Sequence, residues 1–249
     1  MKKFLYIVIL LAIVVGAGTF VIKRDHTTSN TQNGNQAAQK QNGDRFHKAQ
    51  YSTTDPTSIW VIVNKQHPLN PKNYAPADLT FPNVPLRVPG NESMQVRKQT
   101  ASALETMFAD AKTAGLKLML SSGYRSYTYQ VNLYNGYVQT QGQAMADTQS
   151  ARPGYSEHQT GLAADIEPST QKCELEQCFA DTPEGKWLAA NAYKYGFIIR
   201  YTADKVATTG YEYEPWHVRY VGTELATEMH NKGIATLEEF FGVSGGKNY

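Results

Sequence analysis

Apolar and polar positions divide the chain into three zones. Phe4 to Ile22 (FLYIVILLAIVVGAGTFVI) is an unbroken run of 19 uncharged, mostly apolar residues. As a helix rising about 1.5 Å per residue, it nearly matches the ~30 Å core of a bilayer. Lys2 and Lys3 stand before it, on the side that basic residues keep in the cytoplasm. The run continues through Phe20, Val21 and Ile22, past the small residues Gly16-Ala17-Gly18 where an export signal would be cut. That favours an uncleaved single-pass anchor over residues 1–24, with the rest of the chain outside the membrane. Residues 25–50 are Thr, Ser, Asn, Gln, Gly and Lys with almost nothing apolar to bury. This is the pattern of a flexible linker, with a reach of roughly 30 Å.

Residues 51–249 alternate between helical and strand periods and read as one domain. Ile59 to Val63 is a short apolar run expected to form a strand, followed by a Pro/Asn-rich irregular stretch to Pro89. Leu104, Met107, Phe108 and Ala111 mark one face of a helix over 94–114, with Gly115 as its stop. Leu116 to Leu120 reads as a strand, and Ser126 to Gln141 as a Tyr/Gln-rich helix. Thr182-Pro183 opens a helix that runs to Gly196. Phe197 to Ile199 and His217 to Val221 are further strands, and Thr236 with Glu239 forms a capping box for a last short helix. There is no Gly-rich phosphate turn of a dinucleotide fold. The expected class is α+β, a small, mostly antiparallel sheet flanked by helices.

Charge changes the picture by exclusion. The formal net charge is +2, but the first 24 residues hold Lys2, Lys3, Lys23 and Arg24 and no acid, so the remainder is slightly acidic. No basic patch of a nucleic-acid binder is visible. The two cysteines, Cys173 and Cys178, enclose four residues with no histidine nearby, which in an exported chain reads as a local disulfide rather than a metal site.

Six histidines narrow the chemistry further. His26 and His47 fall in the linker, His67 in the irregular stretch, and His230 near a helix end, where a cation suits the dipole. His158 and His217 stand in dense polar clusters. His158 and Asp165 can converge if the chain turns at Gly161 and returns as a strand. Glu214 and His217 face the same way only if the chain bends, and Pro215 lies between them. His158, Asp165 and His217 would make three zinc ligands with a fourth position open, and Glu214 suits a general base. Spacing leaves open the plainer alternative of core histidines beside an acid. A Ser156–His158 nucleophile pair is disfavoured, because Ser156 lacks the Gly-x-Ser-x-Gly elbow.

Three blocks carry a family resemblance: Ser122-Gly123-Tyr124-Arg125-Ser126, Ser156-Glu157-His158-x-x-Gly161-x-Ala163-x-Asp165, and Glu214-Pro215-Trp216-His217. They resemble the signatures of the VanY-type zinc D-alanyl-D-alanine carboxypeptidases and the related L,D-carboxypeptidases. The segments around Pro183–Leu188, Tyr195–Tyr201 and Val63–Leu69 are similar as well, so the likeness spans roughly 58–242 in order. The resemblance implies the hedgehog/D,D-peptidase-like zinc fold, with Zn²⁺ held by His158, Asp165 and His217 and Glu214 as catalytic base. It implies Arg125 as the cation near the scissile bond, and Gln130 and Ser156 as contacts for the terminal D-residue. Tyr155 and Trp216 are candidates to line the pocket, and Arg200 is either an ion-pair residue or a substrate contact. The activity implied is removal of a C-terminal D-alanine from peptidoglycan stem peptides, D,D or L,D, at the outer face of a bacterial cell membrane. No nucleic acid and no obligate protein partner are expected. A crosslink endopeptidase, or a non-catalytic zinc-dependent wall-binding module, is the alternative.

Overall fold

In a computed structural model, residues 46–249 are described. The apolar run 4–22, and with it the expected membrane helix, lies outside the described residues. Among the described residues no helix is long and apolar enough to cross a membrane. Phe46, in the stretch read as linker, stacks on Trp60 with ring centroids 5.3 Å apart.

The elements in chain order are β1 (Leu79–Thr80), β2 (Val96–Arg97), α1 (Lys98–Thr113), β3 (Leu118–Ser122), α2 (Tyr127–Gln141), α3 (Gln143–Gln149), β4 (Ala163–Pro168), α4 (Pro183–Asn191), β5 (Phe197–Tyr201), α5 (Val206–Thr209), β6 (Glu214–Tyr220), α6 (Thr223–Lys232) and α7 (Leu237–Phe241). β1 and β2 form a separate two-stranded ribbon, and the main sheet has the order β3-β4-β6-β5. Every neighbouring pair in it is antiparallel, as expected from the sequence.

Strand alternation gives this sheet two unlike faces. Leu118, Leu120, Ala164, Ile166, Val218 and Phe197 point one way and bury against Leu104, Met107, Phe108 and Ala111 of α1 and Leu188 of α4. Asp165, Glu167, His217, Arg219 and Arg200 occupy the alternate positions and are buried as well. A sheet with one polar buried face needs something to neutralise that face, and this is where the site lies.

Local signals set most boundaries. Ser126 Oγ accepts from the Tyr129 N–H (3.2 Å) and starts α2. Thr182 Oγ1 accepts from the Gly185 N–H (3.0 Å) and starts α4. Thr236 Oγ1 does the same for α7, accepting from the Glu239 N–H at 3.2 Å. Gly185 admits no side chain, since a Cβ there would fall 2.0 Å from the Phe179 carbonyl oxygen.

Three expectations are corrected. The helix expected to run from Pro183 to Gly196 ends at Asn191, and a 3₁₀ turn over Ala192–Tyr195 carries the chain on to Gly196. Ile59 to Val63 is not a strand. The segment is buried, but the carbonyls of Ile59 and Val61 accept from Arg219 Nη2 at 3.1 and 2.8 Å. A guanidinium reaching across the core replaces the neighbouring strand. The helix expected over 94–114 starts only at Lys98, because Met94 closes a 3₁₀ turn and Val96–Arg97 pairs with β1.

Candidate active site

The first half of the site is made by one reversal. Glu157–Thr160 is a single 3₁₀ turn ended by Gly161 in the left-handed region, φ +67°. Glycine is required there both by that conformation and by Arg97 Cγ and Leu79 Cδ2, about which a Cβ would close to 2.9 and 3.0 Å. The chain then returns as β4 and brings Asp165 Oδ2 within 3.4 Å of His158 Nε2.

Sheet register makes the second half. Asp165 lies directly opposite His217 in the β4–β6 ladder, with Asp165 Oδ1 3.4 Å from His217 Nδ1. In a regular strand Glu214, three residues away, would face the other side of the sheet. Between the pairs Ile199–Val218 and Tyr201–Glu214, however, β6 spends four residues where β5 spends two. The irregularity contains Pro215, which has no N–H to give the ladder, and it places Glu214 Oε2 3.4 Å from His217 Nδ1.

The donor set fits a metal ion. One ligand atom from each of His158, Asp165 and His217 lies within 4.8 Å of the others, the only such group of three among the described residues. Asp165 Oδ1 is buried without a hydrogen-bond partner. His158 Nδ1 lies 2.6 Å from the Gly123 carbonyl, which can only accept, so its proton sits on Nδ1 and Nε2 presents a lone pair to the site. Gly123 is itself dictated by packing, since a Cβ would lie 2.4 Å from the Gln95 carbonyl oxygen.

Electrostatics separate the two histidines. Burial, aided by the Arg125 charge, pushes His158 down to about 4 and keeps it neutral. Burial also disfavours the charged form of His217, but the facing carboxylates of Asp165, Glu157 and Glu214 outweigh it and raise His217 well above the usual histidine range. For Asp165 the burial penalty is overcome by His158, His217 and Arg125, which hold the carboxyl well below the usual range. Burial raises Glu214. Three carboxylates thus converge on one imidazole, an arrangement that calls for a cation.

Arg125 is at the site. Its Nη2 donates to Asp165 Oδ2 (2.7 Å) and its Nε to Ser122 Oγ (3.1 Å). Ser156 is buried directly before the His158 turn, and none of the hydrogen bonds among the described residues joins its hydroxyl to His158. Gln130 is not brought into contact with the cluster. Its Nε2 donates to Ser150 Oγ (3.1 Å) and to the Ala151 carbonyl (2.7 Å), bracing the chain after α3. Trp216 packs against the apolar face of the sheet, and Tyr155 meets Tyr249 edge-on at 5.1 Å. Arg200 is an ion-pair residue, fully buried between Glu157 (2.8 Å) and Glu238 (2.7 Å). Cys173 and Cys178 are joined in a disulfide. His230 stacks on Tyr193, with centroids 3.6 Å apart.

Sequence reasoning missed Glu157. It is fully buried, its Oε1 accepts from Arg200 Nε and Arg219 Nη1, both at 2.8 Å, and its Oε2 faces His217 Nε2 at 3.5 Å. The available signal was an acid directly beside His158, in a chain with Arg219 inside one predicted strand and Arg200 directly after another.

A buried pair of histidines and an aspartate, with a glutamate beside them, is a donor set of the kind that metal-dependent hydrolases use. The family model that matches residues 93–223 is VanY, D-alanyl-D-alanine carboxypeptidase. The chain belongs to this family of zinc peptidases. A relative from Bacillus subtilis (strain 168), the putative carboxypeptidase YodJ, is 44% identical over 222 residues, 87% of this chain and 80% of the relative. Among solved structures, the LdcB LD-carboxypeptidase, described in terms of peptidoglycan recognition, aligns with a TM-score of 0.71 at 46% identity, covering 76% of this chain and 89% of that one. A mutant of the vancomycin-resistance D,D-pentapeptidase VanY in complex with Zn(II) aligns with a TM-score of 0.59 at 32% identity, covering 72% and 97%.

Proposed function

We propose that this protein is a zinc-dependent carboxypeptidase that removes a C-terminal D-alanine from peptidoglycan stem peptides. The observation that carries the reading is the convergence of His158, Asp165 and His217 within 4.8 Å, with Glu214 3.4 Å from His217. His158 through Nε2, Asp165, and His217 through Nδ1 would hold the ion. When bound, zinc supplies Lewis acidity that polarises the scissile carbonyl and acidifies an attacking water.

The chain's own groups do the rest. Glu214 takes the proton of the attacking water and returns it to the leaving amine, and its raised pKa brings it nearer the working pH for both transfers. Arg125 gives Nη2 to Asp165 and Nε to Ser122, and its Nη1 serves the substrate carboxylate or the developing oxyanion. Ser156 is a contact for the terminal D-residue. Gln130 supports that contact from behind by fixing the Ser150–Ala151 backbone. Residues 1–24 anchor the domain, and the polar linker before Phe46, which packs on Trp60, lets it sweep the outer face of the bacterial membrane.

Identity to LdcB (46%) exceeds identity to the D,D-pentapeptidase (32%), which favours L,D cleavage of tetrapeptides. The test mixes the full chain and zinc with stem peptides ending in one or two D-alanines and follows alanine loss by mass spectrometry. L,D activity shortens the tetrapeptide, and Glu214→Gln abolishes the loss. Shortening of the pentapeptide alone would assign D,D activity. No loss from either, with zinc bound, would overturn the carboxypeptidase reading in favour of crosslink cleavage or binding alone.

A further inference from the structure

We infer that Glu157 is a positioning residue for the metal centre: it orients His217 by accepting its Nε2 proton, so that the two ligand histidines hold opposite tautomers. The inference rests on the proposed zinc site and concerns what lies behind it.

Two orphan atoms motivate it. His217 Nε2 and Glu157 Oε2 are both buried, neither has a hydrogen-bond partner, and they face each other at 3.5 Å. Unmet buried polar groups of complementary type are costly, and here each is the other's available partner. The other ring nitrogen, Nδ1, faces Asp165 Oδ1 and Glu214 Oε2, both at 3.4 Å, so it is the ligand atom. With Nδ1 given to a metal, the ring proton resides on Nε2, where a carboxylate waits. His158 is wired the other way: its Nδ1 proton goes to the neutral Gly123 carbonyl at 2.6 Å and its Nε2 faces the site. A carboxylate behind a ligand imidazole fixes its tautomer and raises its basicity more than a carbonyl does.

Glu157 is itself held in place. Its Oε1 is occupied by Arg200 and Arg219, both at 2.8 Å. Arg200 is pinned in turn by both oxygens of Glu238, at 2.9 and 2.7 Å, and Glu238 Oε1 accepts from Asn64 Nδ2 at 2.9 Å. That leaves Oε2 as the free end of a rigid chain aimed at His217. Adjacent residues of the 3₁₀ turn thereby divide the work, His158 pointing into the site and Glu157 behind it.

The competing account is that Glu157 only neutralises the two arginines. Zinc dissociation constants from chelator competition on the full chain separate the two. Glu157→Gln is expected to weaken zinc about 10- to 100-fold, whereas Glu238→Gln, which disturbs Arg200 without touching His217, leaves affinity near the unaltered value. Equal losses in the two variants, or none in Glu157→Gln, would overturn the inference. A second measurement needs no variant: imidazole ¹⁵N spectra of the zinc-loaded protein should show His158 protonated at Nδ1 and His217 at Nε2. A His217 proton on Nδ1 would also overturn it. If the unaltered protein binds no zinc, the site reading itself fails.

Discussion

The two faces of the four-stranded sheet are equally buried and unlike in every other respect. On one, Leu118, Leu120, Ile166 and Val218 meet Leu104 and Met107 with no polar atom to satisfy. On the other, Asp165 and His217 share a face with Arg200 and Arg219, and the charges depend on partners from outside the sheet: Arg125 for Asp165, Glu157 for both arginines, and Glu238 for Arg200. The same strands supply both sets, one residue out of step. The apolar face tolerates imperfect packing at a cost in stability. The polar face tolerates little, because a missing partner leaves a buried charge. The proposed metal ligands Asp165 and His217 lie on this polar face, among fixed hydrogen bonds and ion pairs.

The comparison can be broken most sharply at the mouth of the polar face. Glu214→Gln should lower kcat by roughly 10²- to 10⁴-fold while leaving the urea midpoint almost unchanged, since its side chain is 18% exposed and pairs only with His217. A parallel loss of stability would mean that Glu214 is structural. Arg200→Ala, behind the site, should cost about 3–5 kcal/mol by leaving the buried Glu238 carboxylate without its cation and Glu157 with Arg219 alone, and zinc affinity should fall with it. Urea unfolding and metal titration on the same sample read both effects. On the apolar face Leu104→Ala should cost about 2–5 kcal/mol and leave the activity of the folded fraction intact. A change in kcat there would show that the faces are coupled.

Acid offers a gentler probe. For Glu238 the burial penalty is outweighed by Arg200, and for Asp147 burial is outweighed by hydrogen bonds from Arg152 and Tyr134, so both carboxyls titrate lower in the folded chain than their ordinary values of 4.5 and 3.8. The folded state therefore binds fewer protons. The stability these groups supply is complete above about pH 4.5 and declines as pH falls through their folded values. Unfolding free energies measured from pH 6 down to about 3 should drop, and less steeply in Glu238→Gln.

What was legible in the sequence was local. Ser126, Thr182 and Thr236 announce helix starts because a cap involves residues three apart; Gly115 announces the end of α1, and Gly196 that of the 3₁₀ turn after α4, because their positive φ favours glycine. His158 and Asp165 could be joined on paper because a single turn at Gly161 separates them. Pro215 signalled the bend that brings Glu214 beside His217, but not its form, two extra residues in β6 that appear only against β5. The burial of Ile59 to Val63 was readable, but not that Arg219 would take the place of a strand. The chain from Asn64 through Glu238 and Arg200 to Glu157 joins residues far apart in sequence, and no periodicity reports such pairings.

The most direct test of the account is the metal content of the purified full chain after dialysis against trace zinc, set beside His217→Ala. The account expects one zinc per chain, lost in the variant. A chain that retains no zinc, or one that keeps it without His217, would contradict the claim that the polar face of the sheet is a metal centre.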